Sequence, residues 1–475
     1  MIPPAFSLAQ AESFWHEQIF SALVEYIRIP NRSPAFDPDW KTHGAMDRAI
    51  RLACNWCQLH LPPHSSVEIR ELPGRTPLLY FEVPAHPTLK NAPPIFFYGH
   101  LDKQPEFEGW REGLGAWTPI LENGRLYGRG GADDGYAVFA SAAALRLLAE
   151  AGHPLPRSIG LIECSEESGS IDLAAHLDAL TARLDRPGLI VCLDAECGDY
   201  EHLWYTTSLR GNLIGELRVQ TLTEGVHSGA AGGIVPSTFQ IIRALLNRIE
   251  NATTGQITLT SLSVPVPPER KREIEKAASV LGTLSWKRFP WAGSTQPRFA
   301  DPVEVLQANT WAPALEITGA DGLPPIQTGG NVLRPFTGFK LSLRLPPTLA
   351  PDSAVQALQA AFSADAPFRA VTSFQIHTAM AGWNAPTIAP WLKSALQQAS
   401  AAYFGKPALA MGTGGSIPFM QMLADRYPET QYFVTGVLGP GANAHGPNEF
   451  LDMRTVTRLT ACLGETIASY VRAVR

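Results

Sequence analysis

Paired cysteine motifs, long apolar runs and a surplus of basic charge are all missing from this chain. Its six cysteines stand at 54, 57, 164, 192, 197 and 462, and the single C-x-x-C, Cys54 with Cys57, has no second copy to complete a zinc ribbon. That pair lies in 46-MDRAIRLACNWCQL-59, a helical pattern, so it reads as helix packing. No apolar run reaches the roughly 18 residues of a membrane span. A net charge of −6 gives no reason to expect nucleic acid or an anionic membrane as a partner. The opening MIPPAFSLAQAESFWHEQIF carries Glu12 and Glu17 and no basic stretch. It reads as an amphipathic helix, not a secretion signal, and the expected location is the cytoplasm. The Gly-x-Gly at 128–130 lacks the third glycine of a dinucleotide site, and no G-K-[ST] is present to make a phosphate loop.

What is present is a soluble, globular composition, 45% hydrophobic and 17% charged over 475 residues, a length that calls for more than one domain. Periodicity predicts helices at 7–28 and 44–60, strands at 67–72, 77–84 and 94–100, a helix at 134–152, strands at 157–164 and 188–194, and a helix between them at 170–184. Strands alternating with helices argue for an α/β domain with a mostly parallel sheet flanked by helices. From 208 the texture changes. Alternating strands at 208–221, 338–347 and 369–377, with helices at 236–250 and 351–363 and a proline-rich irregular stretch from about 263 to 335, suggest a smaller α+β domain inserted into the first. The α/β texture returns in helix 389–405, strand 431–437 and helix 453–472. The expected organisation is a catalytic α/β domain formed by 1–207 and 388–475, with an inserted α+β lid of 208–387.

Chemistry-bearing residues gather where apolar runs stop. The run 94-PIFFYGHLDKQP-105 ends on His100 and Asp102, which at i and i+2 of a strand share a face. They are metal ligands, an acid–base pair or a polar strand terminus. Four more segments carry acids or histidine: 128-GRGGADDGYA-137, 162-IECSEESGS-170, 193-LDAECGD-199 and 439-GPGANAHGPNE-449. Ligands of open α/β sheets collect at the carboxyl ends of strands, so all five can converge. Two histidines with several carboxylates suit zinc, manganese or cobalt, and the carboxylates exceed the needs of one tetrahedral ion. Two ions bridged by a carboxylate would use them.

Taken together, GHLD, GRGGADDG, ECSEESGS, the strand-end Asp194 and AHGPNE resemble the M20 metallopeptidases in order and wide spacing over essentially the whole chain. That family includes carboxypeptidase G2, aminoacylase-1, acetylornithine and succinyl-diaminopimelate deacylases, and carnosinase-type dipeptidases. The resemblance implies two zinc (or manganese) ions between a catalytic domain and an inserted lid that mediates homodimerisation. It implies His100, Asp194 and His445 as terminal ligands, Asp133 as the bridging carboxylate, Glu167 as a further ligand on an undecided ion, and Glu166 as the general base. It also implies a cis peptide at Asp133–Asp134. Asp102 is then assigned to accept the other N–H of the His100 ring and fix its tautomer.

In the lid, 225-GVHSG-229 resembles the family motif whose histidine, here His227, stabilises the oxyanion in the partner subunit's site. Asn331 and Arg344 match the substrate-clamping pair, and a guanidinium suits capture of a carboxylate. Gly415 and Ser416, in the Thr413–Pro418 loop TGGSIP, match a loop that binds the same group through main-chain amides. One departure stands out: many members read Asp-Asp-Lys-Gly where this chain reads Asp133-Asp134-Gly135-Tyr136. The wording GHLDKQP and the long segment 260–277 favour a hydrolase of dipeptides or short peptides. An N-acyl-amino-acid deacylase is the alternative, and a non-catalytic metal-binding homologue a remoter one.

Overall fold

The computed structural model describes residues 4–475, which divide into two units: residues 4–207, 385–411 and 422–475 in one, and 208–384 with 412–421 in the other. The segment 412–421 therefore groups with the second unit and not, as expected, with the C-terminal part of the first. Its reason is local hydrogen bonding. Arg210 N donates to Gly415 O at 3.1 Å, Arg210 Nε donates to Gly414 O at 3.1 Å, and Ser416 Oγ donates to Arg210 O at 2.5 Å.

The first unit is built on a six-stranded sheet in the order Ser66–Arg70, Leu78–Val83, Ser158–Glu163, Ile95–His100, Leu189–Cys192, Gln431–Val434. The last four run parallel, and Leu78–Val83 is antiparallel to both of its neighbours. Strands Ile95–His100 and Ser158–Glu163 are buried at every position, which is why they read as continuous apolar runs. The long helix Met453–Val474 packs on Tyr136–Glu150 and on Pro390–Tyr403. The N-terminal helix runs from Leu8 to Arg28 with one wider turn at Trp15–Ile19, and its buried Trp15 donates Nε1–H to Thr460 Oγ1 at 2.9 Å. Register aligns the strand ends: His100 pairs with Glu163 and Tyr98 with Cys192, so the loops that follow leave from one edge.

One expectation needs correction here. The helix foreseen at 170–184 is a short helix, Leu173–Ala179, followed by a separate 3-10 turn at Thr181–Arg183. The residues Ile120–Glu122, Arg125–Tyr127 and Phe450–Asp452 form a small antiparallel sheet too short to stand out in the sequence.

The second unit is an antiparallel four-stranded sheet in the order Ala314–Asp321, Phe336–Leu345, Gly211–Gln220, Val371–Met380. Helices Thr238–Leu246 and Pro351–Ser363 pack on it. The stretch 263–335 is not irregular: it holds helices Pro268–Leu281 and Pro302–Thr310 as well as the edge strand Ala314–Asp321. Proline misled the reading because here it occupies the first helical position, where its missing N–H costs nothing. Asp301 also caps the second of these helices by accepting from Val303 N. Among the described residues no helix is long and apolar enough to cross a membrane.

Candidate metal centre and active site

The strand end at His100, the turn at Asp133, the Glu166–Glu167 turn, Asp194 and the His445 loop all belong to the first unit, and the fold brings their side chains together. His100, Asp133 and Asp194 form one group of donor atoms, and Asp133, Glu167 and His445 form a second; within each, the donors lie no more than 4.8 Å apart. Asp133 belongs to both. Its Oδ1 is 3.4 Å from His100 Nε2 and its Oδ2 is 3.0 Å from His445 Nε2. His445 Nε2 also lies 3.3 Å from Glu167 Oε2, and His100 Nε2 lies 3.8 Å from Asp194 Oδ2. Glu167, whose side the sequence leaves undecided, therefore groups with His445. The Asp133–Asp134 peptide is cis, as the resemblance implies.

This donor set fits a divalent cation. His100 Nε2 is buried without a hydrogen-bond partner among the described residues, aimed between two carboxylates. An orphaned buried nitrogen is costly unless something accepts its lone pair, and a cation does so. Nitrogen and oxygen donors without thiolate match zinc, manganese or cobalt.

The other ring nitrogen has two acceptors on Asp102 within reach. His100 Nδ1 is 3.0 Å from the main-chain carbonyl of Asp102 and 3.5 Å from its carboxylate. The nearer acceptor of Nδ1–H is therefore the carbonyl. The Asp102 carboxylate faces the neighbouring turn, where it accepts the main-chain N–H of Glu166 at 3.1 Å and of Glu167 at 3.0 Å. Asp102 thus meets the His100 ring through its main-chain carbonyl and holds the Glu166–Glu167 turn through its side chain. Gln104 also escaped sequence reading: its Nε2 donates to Glu167 Oε2 at 2.6 Å, orienting that carboxylate.

The electrostatics are those of carboxylates crowded together away from water, with two imidazoles among them. Burial pushes Glu167 up to about 8 and Asp194 up to about 6, with Asp133 adding to the rise in each. Burial followed by the Asp194 charge also holds Glu166 well above the usual carboxylate range. For His100, burial would lower the imidazole, but Asp102, Asp133 and Asp194 outweigh it and hold it well above its ordinary value. Asp133 goes the other way: burial would raise it, and His100 and His445 draw it below the usual range. Glu166 lies outside both donor groups.

The departure at Gly135 has a steric cause. A Cβ at Gly135 would stand 2.0 Å from Cε1 of Tyr26 and 2.7 Å from Gly130 O, so no lysine fits. Beside the same ring, Lys103 Nζ sits 3.8 Å from the Tyr26 ring centroid and donates to Tyr26 O at 2.7 Å and Ile29 O at 2.8 Å.

In the second unit, Arg344 Nη1 donates to Ser416 Oγ at 3.0 Å, which joins two of the expected substrate-binding residues. Gly415 is held beside them by Arg210 N. Asn331 is placed against His227 instead, since Ser228 N donates to Asn331 O at 2.9 Å and His227 pairs with Val332 in a short ladder. His227 is exposed, and its Nδ1 accepts from Gly229 N at 3.1 Å and Ala230 N at 3.3 Å. That leaves Nε2 as the protonated nitrogen of the neutral ring.

Comparison with known proteins agrees with this geometry. The model of peptidase family M20/M25/M40 matches residues 96–469. The cysteinylglycine-S-conjugate dipeptidase of Corynebacterium striatum is 26% identical over 451 residues, covering 86% of this chain and 93% of its own. The human beta-Ala-His dipeptidase is 25% identical over 358 residues, covering 73% of this chain and 69% of its own. In fold, the chain is similar to human carnosine dipeptidase 1, with a TM-score of 0.77 at 20% identity over 99% of this chain and 100% of the other. A family match spanning every metal-ligand candidate, with those side chains gathered at the strand ends, means that the chain belongs to peptidase family M20/M25/M40 and is a metallopeptidase.

Proposed function

We propose that this enzyme hydrolyses the amide bond of dipeptides or short peptides with two divalent cations, zinc or alternatively manganese or cobalt. The observation that carries the reading is Asp133, whose two oxygens divide between the His100 and the His445 groups while Glu166 stays outside both. His100, Asp194 and Asp133 would hold one ion, and His445, Glu167 and Asp133 the other. Such ions supply Lewis acidity toward a carbonyl and toward water. Glu166 takes the proton of the attacking water and hands it to the leaving amine. Its raised proton affinity supports a role that needs both forms.

Arg344, with Ser416 and Gly415, would receive the substrate's carboxylate, and Asn331 would hold its main chain. His227, protonated on Nε2, would donate to the oxyanion across a homodimer. The dipeptidase names of the relatives support the substrate class.

The test is Glu166→Ala together with a substrate panel. The variant is expected to keep its metal and lose about 10²–10⁴-fold in kcat; unchanged turnover would sink the mechanism. Dipeptides are set against N-acetyl and N-succinyl amino acids with zinc or manganese added. Exclusive cleavage of the acyl compounds would replace the peptidase reading by the deacylase one.

A further inference from the structure

Arg129 and Glu449 have no part in the chemistry above, yet both are almost wholly buried, at 1% and 0% exposure. They meet across 320 residues of sequence, Arg129 Nη1 donating to Glu449 Oε2 at 2.7 Å. Each then reaches further. Arg129 Nη2 donates to the carbonyl of Gly446, the residue after His445, at 2.7 Å, and its Nε donates to Pro105 O at 3.1 Å. Glu449 Oε1 accepts from Gly130 N at 2.9 Å and Ala132 N at 3.4 Å, the residues leading to Asp133. Glu449 O accepts from Gly128 N at 3.0 Å.

One buried ion pair therefore fastens the His445 loop to the Asp133 turn and to the loop that follows His100 and Asp102. The two halves of the centre need it unequally. His100 ends a strand buried at every position. His445 sits in a loop, with 56% of its side chain exposed and left-handed φ values at Asn443, His445 and Asn448. No strand or helix holds its ring in place.

We infer that Arg129 and Glu449 are positioning residues that set His445 against Asp133, so that the His445–Glu167 half of the metal centre depends on this pair far more than the His100–Asp194 half, which shares only Asp133 with it. The inference rests on the two-ion reading.

The experiment titrates metal-stripped enzyme with zinc against a chromophoric chelator, for wild type, Glu449→Gln, Arg129→Lys and His445→Ala. Wild type is expected to take two equivalents. In Glu449→Gln and Arg129→Lys one equivalent should weaken about 10–100-fold while the other stays within about threefold. Glu449→Gln added to His445→Ala should cost the remaining equivalent little, because the two residues act on one ion. Arg129→Lys keeps the charge and carries the test should Glu449→Gln fail to fold. Two unchanged equivalents in both variants, or equal weakening of both in protein with native circular dichroism, overturn the inference. One equivalent in wild type overturns the two-ion reading instead, which is a distinguishable result.

Discussion

Asp102 Oδ1 accepts the main-chain N–H of Glu166 at 3.1 Å, so the carboxylate in the metal-binding strand loop holds the residue assigned to proton transfer. Asp102→Ala removes the acceptor for two part-buried main-chain N–H groups and frees the Glu166–Glu167 turn. Metal affinity is expected to fall about 10–100-fold. At saturating zinc, kcat should still be down by about 10²-fold, with KM changed far less, because a base displaced by about 1 Å transfers protons poorly. Asp102→Asn keeps one acceptor oxygen and should fall between. Steady-state kinetics at rising zinc separate the two effects; full recovery by zinc alone would limit Asp102 to the metal.

His227 donates nothing to its own loop, since its Nδ1 accepts from Gly229 and Ala230. Removing an oxyanion donor costs about 10²–10³-fold in kcat, and His227→Ala should show that loss with zinc stoichiometry intact. Mixing His227→Ala with Glu166→Ala subunits should restore part of the activity, since a mixed dimer carries one complete site. A mixture no more active than its components would refute action across subunits.

Metal removal should make stability pH-dependent. Glu167 near 8, Asp194 near 6 and the raised His100 all bind protons more tightly folded than unfolded. The folded chelated protein therefore binds more protons than the unfolded chain around neutrality, and its stability falls as pH rises from about 6 to about 8. Burial lowers Lys103 and His176, which act with the opposite sign, but they do so with and without metal. The quantity to measure is thus the gap in thermal midpoint between zinc-loaded and chelated enzyme, which should widen as pH rises. A gap that narrows would contradict this electrostatic account.

Gly135→Ala places a methyl in the space of the Tyr26 ring. Overpacking of this kind costs about 1–3 kcal/mol, and the N-terminal helix should loosen with it because Tyr26 also donates its hydroxyl to Leu101 O at 2.7 Å. Chemical denaturation reads the loss. A variant as stable as wild type would mean that Tyr26 has room to turn aside.

The strand-end residues His100, Glu167 and Asp194 were in view in the sequence because a strand end is marked by where its apolar run stops; Asp133, in a Gly-rich turn, and His445, in a loop, owed their assignment to the family resemblance. Arg129 and Glu449 were equally in view, inside GRGG and AHGPNE, but a buried pair formed across the chain leaves no local periodicity. Strand alternation put the Asp102 carboxylate on the His100 face, where it lies 3.5 Å from Nδ1, but it could not show that the Asp102 carbonyl stands nearer, at 3.0 Å. Helix Pro268–Leu281 was lost to a count of prolines, although 269-ERKREIEKA-277 consists largely of good helix formers.

Order of synthesis matters for a centre assembled this way. The sheet of the second unit lies wholly between Gly211 and Met380, so the ribosome delivers all four of its strands before the last strand of the first unit's six-stranded sheet, Gln431–Val434, exists. Until His445 and Glu449 emerge, the earlier carboxylates have neither the imidazole nor the arginine clasp that faces them in the finished fold. Contacts of such long range form late and slowly. A chain cut short before residue 445 would have an inserted domain able to fold and a metal centre lacking half its walls.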